Sequence, residues 1–269
     1  MTIRKKTAFV LVLLFGLGMS CHEDFPTEAN DPSEQIFSRQ STWHLDSLAK
    51  IEPFFYLSAI WTSGPSDIYA AGTTLLHFNG SSWNFVPMHS SVGGPIGTSF
   101  GLSDVYGFSP ANVYVAGSAL LSSTFWPLIV HFDGNDWKLV SLPPTPPVQL
   151  MRIWGSSPTS IWAGGDRGLI LHYDGKSWTQ EELLFQPKSG DSWHISDFAG
   201  VEGSNPYALI FLTNSTTPYE AMYLIKRIDQ KWDLVDSLST TLNRCRRLYV
   251  SPSNTLYSAG RHLGRWNGT

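Results

Sequence analysis

Charged residues are scarce in this sequence, and basic residues are scarcer than acidic ones. Lys and Arg number 18 against 22 Asp and Glu, and charged residues make up 15% of the 269 residues. A nucleic-acid-binding protein needs a basic face that replaces the counterions of the phosphates, so a nucleic-acid partner is disfavoured. Cysteine is nearly missing as well. Cys21 lies near the start, and Cys245 is predicted to be a small buried apolar residue.

Long amphipathic patterns with apolar residues at i, i+3 and i+4 are also missing, so the sequence gives little support to helices. In their place the chain contains 23 Gly, 17 Pro and 11 Trp. Glycine and proline favour tight turns, and aromatic residues favour strands. The composition therefore predicts an all-β protein with many short strands.

The first twenty residues differ from the rest of the chain. Three basic residues at positions 4–6 precede an apolar run from Ala8 to Met19. This arrangement is typical of a secretory signal peptide. The run is about half of the ~20 residues that a membrane-spanning helix needs. We therefore expect residues 1–20 to be a signal peptide.

The segment that ends this signal, LGMSC at positions 17–21, resembles a bacterial lipobox, although Leu17 lies one position further from the Cys than is usual. The resemblance implies that Cys21 is acylated and becomes the mature N-terminus. Two or three acyl chains hold a protein firmly on a bilayer, so the membrane is an expected partner. An ordinary secretory signal followed by a chance cysteine is the alternative.

Residues 21–40 are predicted to form an acidic flexible tether from lipidated Cys21. Five acidic residues between positions 23 and 34 stand against a single basic residue, Arg39, in a stretch with two prolines. Such a composition buries too little apolar surface to fold. An acidic stretch after a lipidated Cys also resembles the surface-export signal of Bacteroidetes-type lipoproteins. The expected location is therefore the bacterial outer membrane or the cell surface.

The remainder, residues 41–269, contains an internal repeat. Five segments align, and in each an aromatic residue follows eight positions after a fixed reference position. The reference positions are Trp61, Tyr106, Trp154, Ala199 and Tyr249, separated by 45, 48, 45 and 50 residues. The spacing between the two positions within a repeat is constant, whereas the spacing between repeats varies. This difference indicates that each repeat contains the same pair of strands and that the loops vary in length.

A second block in the first three repeats pairs Asn-Gly or Asp-Gly with a following Trp, as in LLHFNGSSW and ILHYDGKSW, and the fourth repeat has LIKRIDQKW at the same place. An Asx-Gly pair between two segments in which apolar and polar residues alternate predicts a hairpin with a type I′ turn. Four strands per repeat of about 45 residues indicate propeller blades. The segment STWHLDSL at 41–48 resembles NDWKLVSL at 135–142 and is expected to complete the last blade. The predicted fold is a five-bladed β-propeller of four-stranded antiparallel blades, closed by this N-terminal strand.

The repeats resemble bacterial β-propeller repeats of the WGSSPxDVYAVG…HYDGxxW type, described as photosystem-assembly-factor-like or sialidase-like, over residues 41–269. The resemblance implies the fold and little about activity, because the same architecture carries lectins, hydrolases and scaffolds. In the Asp-box of sialidases, Ser or Thr stands two residues before the Asp. His131 and His172 stand there in this sequence, so sialidase activity is not implied.

His77, His131 and His172 occupy one position in three repeats and are the strongest metal candidates. Equivalent positions in different blades fan outward from the axis, too far apart to share an ion bound at ~2.0–2.1 Å. A structural role near the blade hairpin is therefore predicted. No nucleophile elbow, phosphate loop or short metal-ligand spacing is found, so no catalytic residue, metal or cofactor is predicted.

The position two residues before each reference residue is polar in four repeats: Asp104, Arg152, Asp197 and Arg247. Neighbouring blades would place these residues around the central channel. Two acids could serve a glycosidase. Alternation with Arg would instead keep each Asp ionised and occupied, so a structural salt-bridge ring is predicted and catalysis is the alternative.

Loop lengths distinguish the two faces of the predicted disc. The distance from the second aromatic residue to the Asx is 10, 19, 12, 22 and 10 residues in the five blades, whereas the other turns are nearly uniform. Long loops often carry binding sites, so ligand binding is predicted on this face. The alternative is that the loop aromatics pack under their own loops. The candidate residues are Phe125, Trp126, Trp193 and Tyr219 as aromatic walls and Asp166 and Arg167 as the floor of a groove.

Three hypotheses for function follow. The leading one is a lipid-anchored extracytoplasmic binding or scaffold protein that recognises a glycan or a protein through one face of the propeller. The second is a carbohydrate-active enzyme that uses Asp104 or Asp197 at the channel mouth. The third, by analogy of fold alone, is an assembly factor for a membrane complex.

Overall fold

The computed structural model describes residues 56–88, 100–185, 192–213, 220–238, 246–260 and 263–266. These segments form strands and turns, and no helix occurs within them. The strands group into five sheets, and within each sheet consecutive strands along the chain are neighbours, apart from one short strand added at the edge of the fourth sheet. The protein is a five-bladed β-propeller, as predicted. No helix in the described segments is long and apolar enough to cross a membrane.

The first three blades each contain four described strands. Blade 1 consists of β1 (Leu57–Gly64), β2 (Asp67–Gly72), β3 (Leu75–Phe78) and β4 (Trp83–Phe85). Blade 2 consists of β5 (Phe100–Ser109), β6 (Asn112–Leu121), β7 (Thr124–Phe132) and β8 (Trp137–Leu139). Blade 3 consists of β9 (Leu150–Ser157), β10 (Ser160–Gly165), β11 (Ile170–Tyr173) and β12 (Trp178–Gln180). All neighbouring strands within these blades are antiparallel.

The last two blades depart from this pattern. A short strand, β13 (Glu182–Leu183), leaves blade 3 and pairs in parallel with the outer edge of blade 4. Blade 4 itself consists of β14 (Ser192–Ala199), β15 (Tyr207–Thr213), β16 (Glu220–Ile228) and β17 (Lys231–Leu238). Blade 5 contains β18 (Arg247–Val250), β19 (Leu256–Ala259) and β20 (Leu263–Trp266) in the described part of the chain. The predicted signal peptide, the tether and the closing strand at 41–48 lie outside the described residues.

In blades 1 to 3, the turns between the third and fourth strands are not the predicted type I′ turns. That type needs positive φ at both central residues, but of the Asn79-Gly80 pair only Gly80 has a positive φ, 89°. Asn79 Oδ1 instead accepts hydrogen bonds from the backbone N–H groups two and three residues later. Asp133 and Asp174 make the same contacts in blades 2 and 3. The Asx side chain therefore closes a four-residue loop, and the glycine supplies the left-handed position. In blade 4, Asp229 and Gln230 both have positive φ, 49° and 64°, as a type I′ turn requires.

Apolar side chains fill the interfaces between consecutive blades. The Trp that opens the outer strand of one blade shares a buried cluster with an aromatic residue on the second strand of the preceding blade. These pairs are Trp137 with Tyr69, Trp178 with Tyr114, and Trp232 with Trp162. Burial of one large side chain contributes roughly 1.5–3 kcal/mol, so these pairs are a main source of stability between blades.

Candidate functional site

The long link predicted between the second and third strands of blade 2 is a β-hairpin. Strands β6 and β7 continue together to a two-residue turn at Ser122 and Ser123, whose φ angles are 48° and 64°. Positive φ at both positions is the geometry of a type I′ turn, whose twist matches that of the flanking strands. The 19-residue spacing is therefore mostly strand, which corrects the predicted loop.

Phe125 and Trp126 lie on this hairpin and are 44% and 40% exposed. They are consecutive residues of a strand, so their side chains point to opposite faces of the sheet. Phe125 lies opposite Leu120, and Trp126 lies opposite Ala119. The sequence predicted that both rings line one groove. Because they point to opposite faces of the sheet, they cannot form the same wall.

A pocket of about 420 Å³ opens beside the hairpin, on the side of Phe125. Residues from the first three blades line it, because the first strands of blades 2 and 3 begin next to the hairpin. Its rim is apolar and accessible, since Tyr56, Leu120 and Phe125 are 56%, 38% and 44% exposed. The lining includes Tyr56, Phe100, Leu120, Phe125, Gln149 and Met151.

Asp166 and Arg167 lie in the short link between β10 and β11, next to blade 4. The Arg167 backbone N–H donates a 2.9 Å hydrogen bond to the carbonyl of Trp193, and Asp166 forms an isolated antiparallel bridge with His194. The structure therefore places the backbone of Asp166 and Arg167 next to that of Trp193 and His194. Tyr219 lies outside the described residues.

The Trp193 side chain packs onto blade 3 instead of standing free. A Cβ atom at Gly168 would lie 2.2 Å from the Trp193 indole, so the ring covers this glycine directly. Trp193 is partly buried and packs against the cluster that contains Trp162 and Leu183. Trp193 therefore fits the alternative interpretation, in which a loop aromatic packs against its neighbours, better than it fits an exposed wall of the predicted groove.

The two acids of the predicted channel set bind the main chain of the following blade. Asp104 Oδ2 accepts a 3.0 Å hydrogen bond from the backbone N–H of Ile153. Asp197 Oδ2 accepts a 2.7 Å hydrogen bond from the backbone N–H of Leu248 in the same way. Each carboxylate therefore joins the innermost strand of its own blade to the innermost strand of the next.

The two arginines of this set make different contacts. Arg152 Nε donates a 2.7 Å hydrogen bond to the carbonyl of Ser196, which joins blade 3 to blade 4. Arg247 Nη1 lies 3.8 Å from Asp197 Oδ1. These contacts are compatible with the predicted structural role of the four residues. The expected contacts were salt bridges between side chains, but blades 2, 3 and 4 are joined by hydrogen bonds from a side chain to the backbone of the next blade.

Burial dominates the electrostatics of the channel acids. It raises the pKa of Asp104 to about 6, although the backbone N–H of Ile153 and the charge of Arg152 act in the opposite direction. Burial likewise raises the pKa of Asp197. The neighbouring arginines favour the ionised form of both acids, as expected from the sequence, but removal from water is the larger effect and the net shift of each pKa is upward.

His77, His131 and His172 share one arrangement. Each ring stacks on the aromatic residue directly opposite on the second strand, at centroid distances of 4.3, 4.0 and 4.5 Å for Tyr69, Tyr114 and Trp162. Each Nε2 atom also contacts a polar side chain two residues before that aromatic: Asp67, Asn112 and Ser160. These contacts assign the three rings to the interior of their own blades. Within the described segments, no three His, Cys, Asp or Glu side chains are placed to hold a metal ion.

Glu181 is a buried carboxylate that sequence reasoning missed. It follows β12 and is 9% exposed. Its oxygens accept hydrogen bonds from Trp232 Nε1 at 2.7 Å, Arg227 Nε at 2.9 Å and, more weakly, Trp162 Nε1 at 3.4 Å. His172 Nδ1 lies 3.2 Å away. Burial acts to raise the pKa of Glu181, but hydrogen bonds from His172 and Arg227 outweigh it and hold the pKa below its usual value.

No protein-family model and no curated protein matches the chain. Among solved structures, YCF48 bound to D1 peptide matches with 13% identity and a TM-score of 0.48, over 76% of this chain and 60% of that one. A GH74 xyloglucanase from Xanthomonas campestris matches with 14% identity and a TM-score of 0.48, over 73% of this chain and 34% of that one. YCF48 from Cyanidioschyzon merolae matches with 12% identity and a TM-score of 0.39, over 78% of this chain and 85% of that one. The chain thus spans less than two thirds of the length of the first two.

Proposed function

We propose that this protein is a non-catalytic, lipid-anchored binding or scaffold protein that works outside the bacterial inner membrane and recognises a protein partner. The observation that carries the proposal is the apolar, exposed rim of the pocket beside the β6–β7 hairpin. Buried aromatic and aliphatic anchors in a pocket supply most of the energy of protein interfaces.

A protein partner fits the chemistry of this pocket better than a glycan does. Sugar recognition combines flat aromatic faces with several convergent polar groups. The pocket combines Phe100, Leu120, Phe125 and Met151 with the polar groups of Ser103, Ser118 and Gln149, and of these Ser118 is buried. Its exposed rim at Leu120 and Phe125 is apolar and suits the apolar side chain of a partner.

The enzyme hypothesis has less support. Asp104 accepts hydrogen bonds on both carboxylate oxygens, from the backbone N–H groups of Val105 and Ile153. Asp197 holds the backbone of the next blade in the same way. Hydrogen bonds that join the blades therefore account for both acids without a catalytic role.

The proposed membrane anchor is supported by the lipobox-like segment at Cys21 and by the acidic tether that follows it.

A site-specific photocrosslinker tests the proposal in intact cells. The crosslinker replaces Phe125 in one variant and Phe85 in the matched control, because Phe85 is also exposed, at 62%, but lies on the outer strand of blade 1. We expect a discrete protein adduct from position 125 and none of the same mass from position 85. Equal labelling from both positions, or no adduct from position 125, would contradict the proposal. A glycan that binds the wild type and is lost in Phe125→Ala would favour sugar recognition instead.

A further inference from the structure

Two consecutive interfaces of the propeller are built on the same positions but are filled differently. The backbone N–H of Val140 donates to the carbonyl of Ile129, and the backbone N–H of Glu181 donates to the carbonyl of Ile170, both at 2.9 Å. Val140 in blade 2 and Glu181 in blade 3 are therefore equivalent residues, each placed just after the outer strand. Val140 faces the interface with blade 3, and Glu181 faces the interface with blade 4.

The residues around these two positions also correspond. Trp178 faces Val140 as Trp232 faces Glu181, because each Trp opens the outer strand of the following blade. Tyr173 and Arg227 correspond as well, since each pairs directly with the Trp of its own blade. Tyr114 and Trp162 are the aromatic residues on the second strands, and His131 and His172 stack on them.

At the interface between blades 3 and 4, the carboxylate of Glu181 occupies the centre of this group and binds its donors. At the interface between blades 2 and 3, the side chain of Val140 has no polar atom. A cleft of about 520 Å³ lies there, at the end of the disc that carries the Asx-Gly turns, and Tyr114, His131, Val140, Tyr173 and Trp178 contribute to its lining. A cleft of about 870 Å³ lies at the corresponding place between blades 3 and 4, but there the Glu181 carboxylate forms part of the wall.

Three side-chain polar atoms of this cleft have no partner in the described part of the chain, whereas His131 Nε2 contacts Asn112. No hydrogen bond to a described residue is made by Trp178 Nε1 or by the hydroxyls of Tyr114 and Tyr173. The indole nitrogen can only donate. Burial raises the pKa of Tyr114 to about 12, with a smaller contribution from Tyr173, so the Tyr114 hydroxyl keeps its proton at neutral pH. Three side chains with donor groups therefore line this cleft, at positions that correspond to those of the donors to Glu181 one interface later.

We propose that this cleft binds the carboxylate of a small organic acid, in the place that the Glu181 side chain fills between blades 3 and 4. Trp178, Tyr114 and Tyr173 donate hydrogen bonds to the carboxylate oxygens, as Trp232, Trp162 and Arg227 do to Glu181. Leu142 and Pro143 line the cleft and contact the body of the acid. The carboxylate is carried by an aliphatic acid or by a sugar acid. This site is separate from the pocket at Phe125.

Titration of the full-length protein in detergent with four probes tests the proposal, with tryptophan fluorescence or calorimetry as the readout. Propionate reproduces the end of a glutamate side chain, and glucuronate carries the same group on a sugar. Propionamide and glucose are their uncharged counterparts. We expect at least one of the two acids to bind about tenfold or more tightly than its counterpart, because hydrogen bonds to a charged acceptor are roughly twice as strong as neutral ones. The acid that binds identifies the source of the carboxylate.

Conservative variants show whether binding occurs in this cleft. Trp178→Phe and Tyr173→Phe remove one donor each and keep the aromatic surface, so each should weaken binding of the preferred acid about tenfold or more. Tyr69→Phe removes the corresponding hydroxyl at the interface between blades 1 and 2 and should leave binding unchanged. Urea unfolding confirms that each variant is folded. The proposal is overturned if neither acid is preferred over its counterpart, or if affinity survives both Trp178→Phe and Tyr173→Phe.

Discussion

The indole nitrogen of Trp232 donates a 2.7 Å hydrogen bond to the carboxylate of Glu181 across the interface between blades 3 and 4. Arg227 Nη2 approaches the same carboxylate to 2.7 Å. Removal of one partner from a buried ion pair leaves the other charge without compensation, which costs about 3–5 kcal/mol. We therefore expect Glu181→Ala to lower the free energy of unfolding by about this amount in urea denaturation.

The adjacent residue provides the control for this variant. Glu182 forms a 2.8 Å ion pair with Lys231, but both side chains are more than half exposed. Exposed pairs contribute about 0–1 kcal/mol, so Glu182→Ala should change the free energy of unfolding little. Equal destabilisation by the two substitutions would show that Glu181 is not the joint between the blades.

The stability of the protein should depend on the protonation of Asp104. Its folded-state pKa of about 6 lies above the unfolded value of about 3.9, so folding favours the neutral carboxyl. This contribution is complete below the unfolded pKa and is lost as the pH rises through about 6. We expect the free energy of unfolding of the wild type to fall between pH 4 and pH 7 by about 1–3 kcal/mol relative to that of Asp104→Asn. Parallel pH profiles of the two proteins, measured in urea, would contradict the raised pKa.

Trp193 and Trp126 should respond differently to truncation. Trp193 packs over Gly168 and belongs to the interior between blades 3 and 4, so Trp193→Ala should lower the free energy of unfolding by about 2–4 kcal/mol. Trp126 is 40% exposed on the hairpin, and Trp126→Ala should cost less than about 1 kcal/mol. Thermal unfolding of both variants measures the difference, and an equal loss in both would place Trp126 in the core as well.

The anchor can be tested by replacement of the predicted lipidation site. Without acyl chains only the acidic tether remains at the N-terminus, and it has no affinity for an anionic membrane surface. We expect Cys21→Ser to move the protein from the membrane fraction to the soluble fraction. Cys245→Ser serves as the control and should leave the distribution unchanged. Firm membrane association of the Cys21 variant would exclude the lipid anchor.

Deletion of residues 41–48 tests the predicted closing strand. On β20 of blade 5, Leu263 is 87% exposed, and Tyr249 on β18 is 60% exposed, although both are apolar or aromatic residues of a sheet. A strand paired with β20 would add main-chain hydrogen bonds at an edge that otherwise promotes association. We expect the deletion variant to melt at lower temperature and to aggregate. A melting curve identical to that of the parent protein would exclude this role for residues 41–48.

The blades could be predicted because their signals are local. The offset between Trp61 and Tyr69, like that between Tyr106 and Tyr114, places the two aromatics opposite each other on adjacent strands. The Asx residues mark the end of each third strand. Such patterns repeat within about 45 residues and do not depend on the rest of the fold.

The details of the candidate site depended on information that lies outside any single repeat. Glu181 could be noticed from sequence only as an acid at a position that holds Val86 and Val140 in the preceding blades, and its partners Arg227 and Trp232 lie in the next blade. The β6–β7 hairpin was mistaken for a loop because Ser122-Ser123 is a weak turn signal compared with Asx-Gly. The direction in which the pKa of Asp104 shifts could not be predicted, because it depends on how deeply the carboxyl is buried and a sequence pattern does not contain that depth.

The joints at the centre of the propeller have a consequence for how its blades diverge. Asp104, Arg152 and Asp197 each form a hydrogen bond with a main-chain atom of the following blade. Every residue type except proline offers the same N–H, and every residue offers the same carbonyl. The receiving strand can therefore accumulate substitutions without loss of the joint. A duplicated blade would bring its own connector, and the adjacent blade would already offer the main-chain atom that it binds. These central joints therefore place no requirement on the side chains of a neighbouring blade, unlike the joint at Glu181.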